Sequence, residues 1–511
     1  MEYISQEGDA KIMKKKMKWL AIPMVLLLVM LTGCQAVGGL DINKALTNSM
    51  NPSSSESKQK ISLELVPAAN ISAEDQKTID LLNSLSITID EGKLQDKETA
   101  SMKGSIGFKG QELPYQLSVD KQGMTILLDG AKQPLYISLD DEAGYPDMSP
   151  YERNIQGFSE KTVEFVIKHA PNPSKLAVKQ VQDKVNGEAL SLTKLHVEVD
   201  GEELLSMVKP FLTEVVKDEA GLKELIEAFY DAFYPVFTSM EEEGYDVGTS
   251  LPIDSKGAAV GAIHGELMES LNEFLNNYDA SLSEMLNETP ELTTVLGKNS
   301  TLNMDFYFDS KQNVRKQNMD LTIAIPEGEG IPIQAVKLHT ESEMWNIGAA
   351  IAIDKIDTSA GVIDVTDGDI TPGQMLRNFE VSSLAYKTLK NDLKITEKNI
   401  WMDPESEYYG IISDKNVSFV PLRYLSEELD AEVKWTKGSK QIVIIDDLNG
   451  REIVLTVGSD QATIGGQAVT LPQPVFVHTD GTTYVPLRFM AESLGATVTK
   501  DADGWLIIDR K

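Results

Sequence analysis

Few side chains in this sequence stand where they could do chemistry together. The five histidines, His169, His196, His264, His339 and His478, are scattered, and none forms a His-x-His pair. A metal centre needs ligands at a convergent spacing, so no metal ligand is assigned. Ser191 and Lys194 have the Ser-x-x-Lys spacing in which a lysine could activate a serine. The other motifs of that chemistry are missing, and the pair sits directly before a strand pattern. Asp364, Asp367 and Asp369 crowd around Gly368 without the spacing of an EF-hand loop. They read as a solvated acidic turn, with a weak surface calcium site as the alternative. No phosphate-binding glycine loop, His-Glu-x-x-His, Gly-x-Ser-x-Gly or paired-cysteine site occurs. With 79 acidic residues, any two could be offered as a carboxylate pair, so the sequence selects none. No catalytic residue and no cofactor follow from these types and spacings.

The one cysteine, Cys34, has a more informative setting. Lys14, Lys15, Lys16 and Lys18 precede an apolar run from Trp19 to Met30, and Leu31-Thr32-Gly33 leads into Cys34. That run is shorter than the roughly 20 residues a membrane span needs. Positive segment, apolar segment and small residues are the parts of an export signal. The stretch resembles a bacterial lipoprotein signal with Leu-Thr-Gly-Cys as its lipobox. The resemblance implies that the Cys34 thiol carries a diacylglyceryl group and that cleavage removes residues 1–33. Two acyl chains then hold the protein at the extracytoplasmic face of a bacterial membrane. Glu2, Glu7 and Asp9 suit such a signal poorly, which leaves Met1 and Met13 both open as the start.

The net charge of −32 becomes about −34 without residues 1–33. Such a chain repels nucleic acid and anionic lipid surfaces. Its one cysteine is committed to lipid, so the exported part is held by its cores and not by disulfides. Residues 34–59, with the polar run Asn51 to Ser57, read as a flexible tether.

Stepping along the chain, residues 60–350 show period-two runs at Ile61–Leu65, Tyr115–Val119, Met124–Leu128 and Leu135–Leu139. The pattern returns at Leu195–Val199, Leu302–Phe308 and Met319–Ile325. These are strands with one buried face, joined by short turns into antiparallel pairs. Helical spacing runs from Glu202 to Glu242, with breaks expected at Pro210, Gly221 and Pro235, and again from Ala258 to Asn287. The fold class expected is α+β, a curved antiparallel sheet packed with helices. In element order this body resembles the lipoprotein-carrier fold of the LolA/LppX type, which implies a lipid held between sheet and helices. Residues 351–395 read as a linker with a helix capped by Thr371 and opened by Pro372, carrying Met375, Phe379, Leu384 and Leu389.

Residues 396–511 contain a duplication. Val420-Pro421-Leu422-Arg423 returns 65 residues later as Val485-Pro486-Leu487-Arg488, and eight of sixteen positions are identical across Val420–Trp435 and Val485–Lys500. Each copy predicts a strand, a proline-opened helix with one apolar stripe, a turn at Asp430 or Gly495, and two more strands. This small duplicated α+β domain resembles the copper amine oxidase N-terminal-like, or stalk, domain of bacterial surface proteins. The oxidase itself needs a histidine cluster and a modified tyrosine. Asn277-Tyr278-Asp279 matches its Asn-Tyr-Asp/Glu motif only superficially, since Phe274 stands where the family has threonine. Amine oxidase activity is therefore not expected. Arg423 and Arg488 each precede a glutamate by four residues, which predicts local helix bracing and not a ligand site.

Three functions stay open. The first is a non-catalytic surface protein that binds or organises the envelope, with an envelope polymer or surface protein as partner. The second is a carrier or sensor of an apolar ligand in the 60–350 body. The third is a hydrolase with an unrecognised site. A hollow apolar body would favour the second, and clustered acids in a cleft the third.

Overall fold

The computed structural model describes residues 54–139, 151–242, 255–328, 330–366, 370–436 and 438–511, together with 40, 44, 45, 48 and 368. Cys34 and the residues read as its signal lie outside these residues, as do Asp367 and Asp369. The protein is α+β, with eleven helices among the described residues, a large curved antiparallel sheet and smaller C-terminal sheets. It divides into two compact units, 1–123 with 139–355, and 124–138 with 356–511. The hairpin 124–138, expected within the body, groups instead with the C-terminal unit.

The first unit opens with β1 (Ser55–Pro67), α1 (Ala73–Asn83), β2 (Ser86–Leu94), β3 (Ala100–Phe108) and β4 (Gln111–Val119). Next come β5 (Gly123–Leu128) and β6 (Leu135–Ser138), which carry the hairpin just mentioned. The first unit resumes with α2 (Glu152–His169), β7 (Lys175–Val185) and β8 (Glu188–Asp200). Five helices follow: α3 (Gly201–Lys217), α4 (Glu219–Glu242), α5 (Lys256–Asn276), α6 (Tyr278–Glu288) and α7 (Glu291–Val295). The unit closes with β9 (Thr301–Phe308), β10 (Val314–Ala324) and β11 (Ile333–Trp345).

Its nine strands run in the order β4-β3-β2-β1-β11-β10-β9-β8-β7. Every neighbouring pair is antiparallel. The first and last strands, β1 and β11, meet in the middle and pair from Glu56↔Trp345 to Pro67↔Ile333. The ladder between β2 and β3 needs a glycine: a Cβ on Gly104 would fall 1.9 Å from the Thr88 carbonyl oxygen.

Two expectations for this unit need correction. Neither proline breaks the long helical stretch; Pro210 lies inside α3 and Pro235 inside α4. The break is at Asp218, whose carboxylate accepts from the Gly221 N–H at 3.1 Å and from Lys168 Nζ at 2.5 Å. An N-cap bond and an ion pair fix the turn there, and packing of the helices carries both prolines. The described parts of the 34–59 stretch, expected as a free tether, are packed or extended. Leu40 and Ala45 are buried against Leu195, Val197 and Phe308. Ser54 Oγ donates to the Ala349 carbonyl at 2.7 Å, and residues 55–59 are already strand.

In the second unit, β12 (Ile363–Asp364) pairs in parallel with β6. Thr371 caps α8 (Pro372–Arg377) in a full capping box. The single linker helix does not form. Chain direction changes at Asn378, whose side chain bonds the Gln133 N–H and carbonyl at 3.0 and 2.8 Å. Leu384 and Leu389 belong to the separate α9 (Leu384–Lys387) and the π-turn after it.

After β13 (Lys398–Met402) come β14 (Ile412–Asp414), β15 (Val417–Pro421), α10 (Leu422–Glu428), β16 (Ala431–Trp435) and β17 (Gln441–Asp446). Then β18 (Glu452–Thr456), β19 (Gln461–Ile464), β20 (Gln467–Thr470) and β21 (Phe476–Val477) lead to the second copy. That copy is β22 (Thr483–Pro486), α11 (Leu487–Ser493), β23 (Ala496–Lys500) and β24 (Leu506–Arg510). Pro421 and Pro486 stand one place earlier than expected. Each ends its strand at ψ near 120° and precedes the first helical residue. One core holds both copies: Val420, Leu425 and Leu429 of the first pack with Val485, Met490 and Leu494 of the second.

Candidate ligand-binding face

Residues opposite each other in a ladder project from the same side of a sheet. One row therefore crosses all nine strands of the first unit: Leu176, Val197, Met304, Met319, Thr340, Ile61, Ile87, Ile106 and Leu113. Eight of these nine side chains are apolar. A parallel row runs Val199, Leu302, Leu321, Leu338 and Leu63. The first unit thus carries a continuous apolar sheet face.

Its cover is uneven. At the β8–β9 end, Leu204 and Met207 of α3 bury Val199, Leu302 and Met304. Asp200 caps that helix by accepting from the Glu203 N–H at 2.9 Å, which fixes where α3 leaves the sheet. Gly201 lets it pass close to Leu296, where a Cβ would meet backbone at 2.5 Å. Towards β1 and β2 the cover thins. Ile61, Leu338, Ile106 and Leu113 are half-buried. Leu63 is 40 % exposed and Ile87 44 %. The helices have a core of their own, in which Phe165, Ile226, Tyr230 and Val260 meet. Phe158 meets Phe229 and Phe233 edge to face beside it, with the three ring centroids 5.0–5.6 Å apart, and all three stay half-buried. The exposed part of the row is thus confined to the β1–β2 end, around Leu63 and Ile87.

The other side of the sheet is charged and internally paired. Asp305 lies 2.7 Å from Lys194 Nζ and 2.8 Å from His196 Nδ1. Lys316 pairs with Asp183 at 3.1 Å, and His339 with Asp320 at 2.6 Å. Burial alone would raise the Asp305 pKa, but the bonds from Lys194 and His196 outweigh it and hold the carboxyl below its ordinary range.

The residues singled out by type and spacing do not come together. Ser191 and Lys194 sit three apart on β8, so they project from opposite faces, and Lys194 is engaged with Asp305. Tyr278 is a buried packing residue at the start of α6, with Lys209 Nζ 5.5 Å from its ring centroid. Four histidines pair with aspartates, and His478 is one of them, at 3.4 Å from Asp480. Among the described residues, no group of three or more His, Cys, Asp or Glu could hold a metal ion. Asp364 accepts from Thr366. Arg423 reaches Glu427 at 3.0 Å, and Arg488 reaches Glu492 at 3.6 Å and the Val498 carbonyl at 2.9 Å.

A polar cleft of about 690 Å³ gathers Glu56, Asp90, Glu91 and Glu188 at one edge of the first unit. Its carboxylates are partly spent inside the fold. Glu56 accepts from the Trp345 indole N–H at 3.0 Å and from Asn346, and Glu91 lies 3.9 Å from Lys103. Sequence reading missed the open apolar end, because an alternating strand reads the same whether its face is covered or not.

Residues 405–508 match the family model of the copper amine oxidase N-terminal domain. This is the segment that carries the two Val-Pro-Leu-Arg copies. The family describes a non-catalytic domain of the oxidase, in keeping with the absence of amine oxidase chemistry expected from the residues. The match begins after β13, yet β13 pairs with β24 from Lys398↔Arg510 to Met402↔Leu506. No curated protein shows significant similarity to the chain. Among the described residues, no helix is long and apolar enough to cross a membrane.

Proposed function

We propose that this chain is a non-catalytic protein, anchored by lipid on Cys34 at the extracytoplasmic face of a bacterial membrane, whose first unit holds an apolar ligand on its open sheet face. The observation that carries the reading is the apolar row across nine strands, buried under α3 at Met304 and open at Ile87. Fully burying an exposed aliphatic side chain is worth roughly 1.5–3 kcal/mol; Ile61, Leu63, Ile87 and Leu338 are already part-covered, so each offers an acyl chain a fraction of that gain. The N-terminal segment adds support. Cys34 precedes the buried Leu40 by six residues, a reach of about 20 Å at full extension. A lipid on Cys34 therefore keeps the sheet near the bilayer, where apolar ligands are found.

The test is mass spectrometry of lipids released from the purified full chain. The reading expects a non-covalent acyl lipid in near-stoichiometric amount. Docking of a surface protein to the same face is the competing outcome, and a chain free of small apolar molecules that captures a partner protein would favour it.

A further inference from the structure

Of the chain's five tryptophans, three lie in the second unit and all are exposed: Trp401 by 47 %, Trp435 by 55 % and Trp505 by 37 %. Two of them share one surface. In the sheet β13-β24-β23, Ile400, Met402, Leu506, Ile508 and Val498 point into the core. Alternation then turns Trp401, Ile507 and Thr499 outward in one row, and Asn399, Asp509 and Thr497 in the next. Trp505 stands two residues before Ile507, diagonal to Trp401 on the same side.

We propose that this outer face is a binding platform for an uncharged glycan chain of the cell envelope, with Trp401 and Trp505 as stacking surfaces. An indole presents a flat ring with a negative face, which receives the C–H groups of a pyranose ring. Thr499 lies in the row of Trp401, and Asn399, Asp509 and Thr497 form the next row, on the side of Trp401 away from Trp505; together they supply donors and acceptors for hydroxyl or acetamido groups beside the indoles. The platform is set before any ligand arrives. The Trp401 indole N–H donates to Asn399 Oδ1, and Asn399 Nδ2 donates to Asp509 Oδ1. A ring already fixed in orientation loses little entropy on binding. Charge selects among occupants: a chain of net charge −32 repels anionic polymers and anionic lipid headgroups. The platform lies in the second unit and stands independently of the apolar face of the first.

The test uses the purified full chain in detergent, with the hexamer of β-1,4-linked N-acetylglucosamine as soluble probe and chitin as insoluble probe. Calorimetric titration should show saturable binding. Trp401→Ala and Trp505→Ala should each weaken it by about tenfold, and the double variant should abolish chitin retention. Trp435→Ala, exposed but outside the platform, should bind as the parent does. Thermal melts of all variants should coincide, since neither ring is buried. The proposal is overturned if the parent binds neither probe, if the double variant still binds, or if the chain prefers a polyanionic glycan such as polygalacturonate.

Discussion

Val420 and Val485, the first residues of the two equivalent motifs, lie directly opposite each other in an antiparallel pair. Both are fully buried. Flanking pairs Phe419↔Pro486 and Pro421↔Tyr484 carry the relationship outward, so an approximate two-fold axis passes between the copies. Units of this size are marginal alone. Facing each other, they cover each other's apolar stripes.

Leu429→Ala tests that sharing. Leu429 is fully buried at the end of α10. Its truncation should cost roughly 2–5 kcal/mol. Hydrogen exchange on the full chain should then show protection falling together around 420–445 and 485–509, with the nine-stranded sheet unaffected. Loss confined to the first copy would mean two independent units.

A buried ion pair reinforces the same junction. Arg510 of the second copy lies 2.5 Å from Asp446 of the first, and it also donates to the Leu429 carbonyl. Both side chains are almost wholly buried. Arg510→Met leaves the Asp446 charge without its cation, a change that typically costs about 3–5 kcal/mol. The double variant Arg510→Met with Asp446→Leu should recover a large part of that in denaturant unfolding. Additive losses would show that the two charges do not act as a pair.

Much of this architecture was legible in the sequence, and the reasons are local. Period-two runs placed β1, β4, β8, β9 and β10, and Thr371 with Pro372 marked the start of α8 to the residue. What failed was set by tertiary contacts. Pro210 and Pro235 stay helical because packing outweighs a lost backbone bond, and the chain turns at Asn378 because that side chain pairs with the hairpin at Gln133. Leu40 gives no sign in isolation that it packs on β8. The registers that align Ile61 with Ile87, or Trp401 with Ile507, are properties of strand pairing, so neither candidate surface could be read before the ladders were known.

Acid should weaken the charged side of the large sheet. The Asp305 pKa is depressed in the folded protein, so its contribution is complete above the ordinary carboxylate value and is lost as pH falls through the lowered one. Asp305→Asn should therefore lower the urea midpoint at pH 7, and the gap to the parent should close at strongly acidic pH. A gap that is the same at both pH values would remove Asp305 from the acid response.

Cys34→Ala should move the chain from the membrane fraction to the medium or leave it unprocessed. Fractionation with metabolic palmitate labelling checks this. Unchanged membrane partitioning and cleavage in the variant would end the lipid-anchor reading.

The most direct measurement is titration of the Cys34→Ala chain, which would carry no acyl chains of its own, with an environment-sensitive fluorescent fatty acid. Saturable binding near one per chain is expected, together with at least a tenfold loss in Ile87→Asp, where a charge enters the open apolar row. Lys60→Ala, on the opposite face of β1, should leave binding unchanged. No saturable binding by the parent, or an Ile87→Asp chain that binds equally well, would contradict the account.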